Sequence, residues 1–163
     1  MDKITDKVYL GDWIGSEDLE KLKQNNIKRV LSCMGYLSPN YNDKSIVQKI
    51  IELDDNPQTN IIQYFKDSIK FIEESDKVFV HCFAGVSRSA TLVIAYFMWK
   101  TKKSYKEVYE RVKKQRLIGP NLGFRKQLLI IEQKLKESNY DLDKIDFNSI
   151  VWPPKEGIKD DLV

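Results

Sequence analysis

Apolar positions along the chain fall into two rhythms, and the switches between them mark the elements. Lys7 to Trp13 and Ile27 to Met34 (IKRVLSCM) are short and rich in β-branched residues, which predicts strands. Between them SEDLEKLKQNN reads as a helix with Ser16 as its N-cap and acids in its first turn. A polar loop, YLSPNYNDK, leads to a third strand over Ile46 to Leu53, which Asp54, Asp55, Asn56 and Pro57 end as a turn cluster. From Asn60 to Glu74, the residues Ile61, Ile62, Phe65, Ile69 and Ile72 recur every three or four positions, the stripe of an amphipathic helix. Lys77 to His81 (KVFVH) is a buried strand by its content. A helix opening near Arg88 runs through ATLVIAYFMW, apolar on nearly all sides, and so belongs at the centre of the core. Ser104 with Glu107 forms a capping box for a helix to about Arg116; Gly119 and Pro120 break the chain before a last helix, Leu122 to Lys136, carrying Phe124, Leu128, Leu129, Ile131 and Leu135. Strands alternating with helices, then a helical second half, predict an α/β sheet covered on both faces.

Composition narrows this further. A chain of 163 residues with 42% hydrophobic and 31% charged residues is the size and make-up of one folded domain. The longest apolar run, Ala90 to Trp99 with only Thr91 polar, is ten residues, too short for a membrane span. With no basic-then-apolar leader pattern, the expectation is a cytoplasmic protein with no membrane span, nuclear entry being left open. Two cysteines, Cys33 and Cys82, cannot build a disulfide scaffold, and one histidine, His81, without CxxC or HExxH, leaves no metal site; no metal and no cofactor are expected. The absence of GxxxxGK[ST] excludes a P-loop ATPase. The net charge of +3 divides into −3 over residues 138 to 163, where Asp141, Asp143, Asp146, Glu156, Asp160 and Asp161 oppose three lysines, and +6 over residues 1 to 137. That basic body is either a steering field for anionic substrates or a solvated lysine-rich surface. No nucleic-acid partner is expected, and the chain is expected to be a monomer or weak dimer.

The chemistry concentrates in Val80 to Thr91, VHCFAGVSRSAT. A buried strand ends at Cys82, a short loop follows, and Arg88 opens an apolar helix. Such a loop (Phe83, Ala84, Gly85, Val86, Ser87, Arg88) turns backbone N–H groups inward at the positive end of a helix, which is an anion site. The same groups favour a thiolate at Cys82, so nucleophile and oxyanion cradle coincide. The Arg88 guanidinium offers two parallel donors to phosphoryl oxygens, Ser89 can donate to the sulfur when phosphate leaves it, and Gly85 lets the loop turn. His81 orients the cysteine backbone from within the fold rather than acting as a base.

HCFAGVSRS fits HCxxGxxRS, and with AGVSRSAT around it the chain resembles the dual-specificity branch of the cysteine-dependent protein phosphatases. The resemblance runs from about Val8 to Leu135 through VYLGDW, IKRVLSC, the Ile61 to Ile72 helix and PNLGFRKQL. It implies the cysteine-phosphatase fold, a central, mostly parallel twisted sheet of about five strands flanked by helices. It also implies hydrolysis of phosphotyrosine and phosphoserine or phosphothreonine on proteins through a phosphocysteine, without a metal. The family's general acid is an upstream aspartate. Aligning Tyr64 and Phe65 to the family pattern puts Asp55 at that position, with Asp54 one residue off register. Asn121 resembles the family asparagine that hydrogen-bonds the signature loop from below, and a helix N-cap is an equally compatible role.

Within the loop Phe83, Ala84 and Val86 are uncharged, whereas relatives acting on polyphosphoinositides place lysines there, and relatives acting on RNA triphosphates carry Asn-Arg-Thr where Ser87-Arg88-Ser89 stand. Phosphorylated proteins are therefore the implied partners, a MAP kinase being one admissible substrate that nothing in the sequence selects. A phosphoprotein-binding adaptor is the competing class, and the presence of Cys82, Arg88 and Asp55 argues against it. Cys33 ends a strand whose tip converges on the signature loop, which makes it a candidate redox partner for Cys82 beside the plainer role of a packed thiol. Residues 1–137 are read as the catalytic domain. The extension 138–163 departs from the family pattern, but Ile145, Phe147, Ile150, Val151 and Trp152 are costly to leave in water, so it is expected to pack on its own body or on a neighbouring chain as an acidic clasp.

Overall fold

A computed structural model describes residues 1–160; the end of the 138–163 extension, with Asp161, lies outside the described residues. Five strands form one sheet in the order β1-β2-β5-β3-β4, where β1 is Asp2–Lys3, β2 Val8–Gly11, β3 Arg29–Ser32, β4 Val47–Ile50 and β5 Val78–His81. β1 runs antiparallel to β2 and every other pairing is parallel. Register aligns Gly11 and Ser32 with His81 on either side, so the carboxyl ends of β2, β5 and β3 finish together beneath one loop cluster. In an open α/β sheet that end is where ligands bind.

Side-chain alternation splits the strands between two cores. Val8, Leu10, Leu31, Val78 and Val80 face the larger one, covered by α3 (Phe65–Glu74), α4 (Arg88–Thr101), α5 (Tyr105–Gln115) and α6 (Leu122–Glu137). Tyr9, Val30 and Phe79 face a smaller one closed by Leu22 of α2 (Leu19–Gln24) and by Ile27. Helices do lie on both faces, most of them on one. α4 passes through the middle of the larger core, packed on β2, β5 and three helices, with residues from Ser89 to Met98 buried almost without interruption. Among the described residues no helix is long and apolar enough to cross a membrane.

Several local expectations need correction. Trp13 does not end a strand; it opens α1 (Trp13–Glu17), which Asp12 caps by accepting from Gly15 N at 2.9 Å. The segment expected as one helix is two, because Asp18 caps α2 afresh by accepting from Lys21 N. Ser16 is therefore no N-cap: it is buried inside α1 and donates back to Trp13 O at 2.6 Å. β4 is shorter than expected and leaves Val47 and Ile50 half exposed, as an edge strand permits. Leu129 lies on the outer side of α6, while the buried Gln127 takes a place on its inner side. The Ser104–Glu107 capping box is present in both directions.

The extension continues the larger core. Leu142, Ile145 and Phe147 are buried in it and Ile150 packs against it, whereas Val151 is exposed. Trp99 donates to Tyr140 O at 3.0 Å, and Lys66 reaches Asp143 at 3.1 Å.

Candidate active site

The loop from Cys82 to Ser87 joins β5 to α4. Its carbonyls are tied outward one after another: Phe83 O accepts from Trp13 N at 3.1 Å, Ala84 O and Gly85 O from the Arg116 guanidinium at 3.1 and 2.9 Å, Val86 O from Gly119 N at 2.9 Å, and Ser87 O from Thr91 N at 2.9 Å. With every carbonyl turned away, the amides face the opposite side. Among the described residues none of the N–H groups of Phe83 to Ser87 has an acceptor within the protein. Backbone donors brought together at a helix start make an anion-binding cup.

Gly85 is what lets the loop close. Its φ of +68° lies in the left-handed region, and a Cβ there would stand 2.5 Å from the Gly11 carbonyl and 2.6 Å from the Arg116 guanidinium.

Cys82 lies at the base of this cup, 2% exposed, with Sγ 3.0 Å from Ser89 Oγ. Arg88 donates through Nη1 to Leu53 O at 3.0 Å, while its buried Nε has no hydrogen-bond partner in the protein. An unsatisfied buried donor of this kind costs about 1–3 kcal/mol, and an oxyanion in the cup would satisfy it.

His81 is fully buried behind the cysteine. Cys82 O can only accept, so in the neutral ring the proton sits on His81 Nδ1, facing that carbonyl at 3.4 Å, and Nε2 accepts from the Ser32 hydroxyl at 2.6 Å, whose oxygen in turn accepts from Gln48 Nε2 at 3.0 Å. Burial pulls the imidazole down to about 4, against the opposing effects of the Cys82 carbonyl and Asp12, and so keeps the ring neutral. Cys33 follows β3, its N–H bonded to His81 O at 2.9 Å. Burial, with the neighbouring Cys82 as the next cause, pushes its thiol well above the ordinary value, which favours the packed, protonated form; both thiols are free.

Asp54 and Asp55 stand on the exposed loop after Leu53. Asn121 Nδ2 donates to Asp55 Oδ1 at 2.9 Å, and Asn121 Oδ1 accepts from Phe124 N as the N-cap of α6. Asn121 bonds the signature loop through its backbone N–H, to Ser87 Oγ at 3.0 Å, while its side chain is shared between the cap and Asp55. The structure thus brings Cys82, Arg88, Ser89, His81, Asp55 and Asn121 into one connected cluster, with Phe83 at its rim.

Three contributors were not anticipated from the sequence. Arg116 holds two loop carbonyls from the end of α5 and pairs with Asp2 at 3.0 Å. Trp13 stacks on Phe83 with ring centroids 5.9 Å apart. Gln127 accepts from Ile61 N and Ile62 N and donates to Thr59 O at 3.0 Å. A polar residue interrupting the apolar stripe of the last helix was the available signal for Gln127; for Arg116, among 27 lysines and arginines, there was none.

Residues 8–134 match the family model described as dual specificity phosphatase, catalytic domain. The chain is similar to protein-tyrosine-phosphatase MKP1 of Arabidopsis thaliana, 36% identical over 138 residues that make up 82% of this chain and 18% of that protein. It is similar to dual specificity protein phosphatase 22 of Xenopus tropicalis, 39% identical over 133 residues covering 78% of this chain and 63% of that protein. It therefore spans less than two thirds of either relative. The solved structure of human tyrosine phosphatase-like serine/threonine/tyrosine-interacting protein superposes with a TM-score of 0.80 at 29% identity, covering 83% of this chain and 97% of that one.

Proposed function

The chain belongs to the dual specificity phosphatase catalytic-domain family, and on that premise we propose that it removes phosphate from phosphotyrosine and from phosphoserine or phosphothreonine on proteins through a phosphocysteine at Cys82. The observation that carries this reading is the cup itself: outward-tied carbonyls, unpartnered amides and an unpartnered Arg88 Nε around one buried sulfur.

In the first step the Cys82 thiolate attacks phosphorus in line and the bond from phosphorus to the leaving oxygen breaks, while Asp55 gives that oxygen a proton. Water then attacks phosphorus, Asp55 takes the proton, and the sulfur–phosphorus bond breaks to return the thiolate, which the Ser89 hydroxyl meets at 3.0 Å. Negative charge on the equatorial oxygens falls on the loop amides and Arg88, donors already oriented before the reaction. Asn121 acts by positioning: its amide holds Asp55 while its backbone N–H steadies Ser87.

A phosphoprotein-binding role is the second reading, since the human structural relative is named an interacting protein. The Cys82–Ser89 contact favours turnover, because a hydroxyl placed on the sulfur has a use in releasing a thiolate and none in holding phosphate. Hydrolysis of p-nitrophenyl phosphate in EDTA separates the two. Wild type is expected to turn over and Cys82→Ser to lose at least about 10³-fold in kcat, as removal of a nucleophile requires; binding of phosphate without turnover by reduced wild type would overturn the enzymatic reading. A phosphopeptide panel containing a doubly phosphorylated kinase activation segment then tests a MAP kinase as substrate.

A further inference from the structure

The loop that carries Asp55 has almost no regular structure, yet it is held at successive points by side chains from distant parts of the chain. Arg88 donates to Leu53 O and Asn121 to Asp55, and Gln127 donates to Thr59 O. A further tie comes from the extension. Trp152 Nε1 donates to Pro57 O at 2.9 Å, across a separation of 95 residues.

Pro57 is closely packed by a second element as well. Gly123, in the first turn of α6, lies so close under it that a Cβ there would overlap the Pro57 carbonyl. The turn at Pro57 is thus in contact with both the start of α6 and the indole of Trp152. The approach of the strap to this point is itself anchored, by Phe147 in the core and by the 147–149 turn packed on the 62–64 turn.

We propose that residues 138–160 form a strap belonging to the catalytic apparatus, with Trp152 a positioning residue that fixes the Asp55 loop against α6. This rests on Asp55 being the general acid. The physical reason is geometric: a proton donor works only within hydrogen-bond reach of the leaving oxygen, and a two-residue lever from Pro57 to Asp55 transmits any slack in the turn to the carboxyl. The indole N–H meets the same Pro57 carbonyl that Gly123 approaches, so both contacts act on one point two residues from Asp55.

Leaving-group dependence tests it. A good aryl leaving group departs without a proton and a poor one does not, so a misplaced acid slows only the poor one. kcat/KM is compared for phenyl phosphate and 2,4-dinitrophenyl phosphate in wild type, Trp152→Phe and Asp55→Asn, with native-state hydrogen exchange at the Asn56 and Thr59 amides. Trp152→Phe keeps an aromatic ring and removes the donor. It is expected to lower kcat/KM for phenyl phosphate about 5-fold, the rate equivalent of one ordinary hydrogen bond, to leave the dinitrophenyl ester within about 2-fold, and to speed exchange in the loop. Equal rates on both esters, or an equal loss on both, would overturn the role of Trp152 while Asp55→Asn still discriminates between them. If Asp55→Asn fails to discriminate, the acid assignment falls and the strap's catalytic role with it. Gln127→Glu, which alters a different tie of the same loop, serves as the control for general loosening: a discrimination as large in Gln127→Glu, with Trp152→Phe silent, also overturns the proposal.

Discussion

His81 shows how one buried side chain links the sheet to Cys82. It is the chain's single histidine, and its two nitrogens are taken up by Ser32, itself bonded by Gln48, and by the Cys82 carbonyl, so the ring orients that carbonyl and has no lone pair left for a substrate proton. Its depressed pKa carries a stability consequence. The unfolded ring titrates near 6.5 and the folded one near 4, so between these values the unfolded state binds the extra proton and stability rises with pH. The contribution is complete above about 6.5 and is lost as the pH falls toward 4. Urea unfolding at pH 7.5 and pH 5 is expected to show a loss of about 2 kcal/mol that His81→Asn abolishes. An unchanged pH dependence in the variant would refute the neutral, buried ring.

At the scale of elements, the cup is held open by the ends of its neighbours rather than by the loop's own sequence. β2 supplies Gly11 beneath Gly85 and leads into Trp13, α5 ends in Arg116, and the break before α6 supplies Gly119. Arg116 has the largest share, because a planar fork can bond two adjacent carbonyls and still reach Asp2. Arg116→Lys retains the charge and loses the fork. It is expected to weaken vanadate binding about 10-fold, the effect of one lost charge-assisted hydrogen bond, with little change in the thermal midpoint. An unaltered vanadate Kd by calorimetry would show that the loop keeps its shape without this support.

Across the whole molecule, an extension beyond the last long helix adds to the core and hydrogen-bonds the loop that carries Asp55. Leu142, Ile145 and Phe147 enter the same apolar cluster as α3, α4 and α6, and Lys66 and Lys70 meet Asp143 at its edge. The ion pairs are exposed and contribute little; the apolar contacts carry the attachment. Removing residues 139 to 163 is expected to destabilise the protein by about 4 kcal/mol or more, since each buried large apolar side chain is worth roughly 1.5–3 kcal/mol. A urea midpoint unmoved by the truncation would mean that the strap rests on the body without supporting it.

Much of this was legible along the chain. An apolar stripe located α3, apolar and β-branched content located α4 and the parallel strands, the Ser104–Glu107 capping box located α5 and the Gly119–Pro120 break located α6, because burial and capping leave local traces in residue order. HCFAGVSRS located the candidate site for the same reason: cysteine, amide cradle and guanidinium sit within one loop and one helical turn, so their spacing is their geometry. Helix starts were less legible. Ser16 and Asp18 are both good caps by type, and only the burial of Ser16 within α1 decided between them. Arg116, Gln127 and Trp152 left almost no mark, since each acts on a carbonyl or amide dozens of residues away and any backbone carbonyl looks alike in sequence. The order of residues alone thus determined where the candidate site lies, because that site is local. Which distant side chains hold that site in place was decided only by the tertiary structure, because contacts between sequence-remote groups depend on how the layers pack and not on the pattern within any one of them.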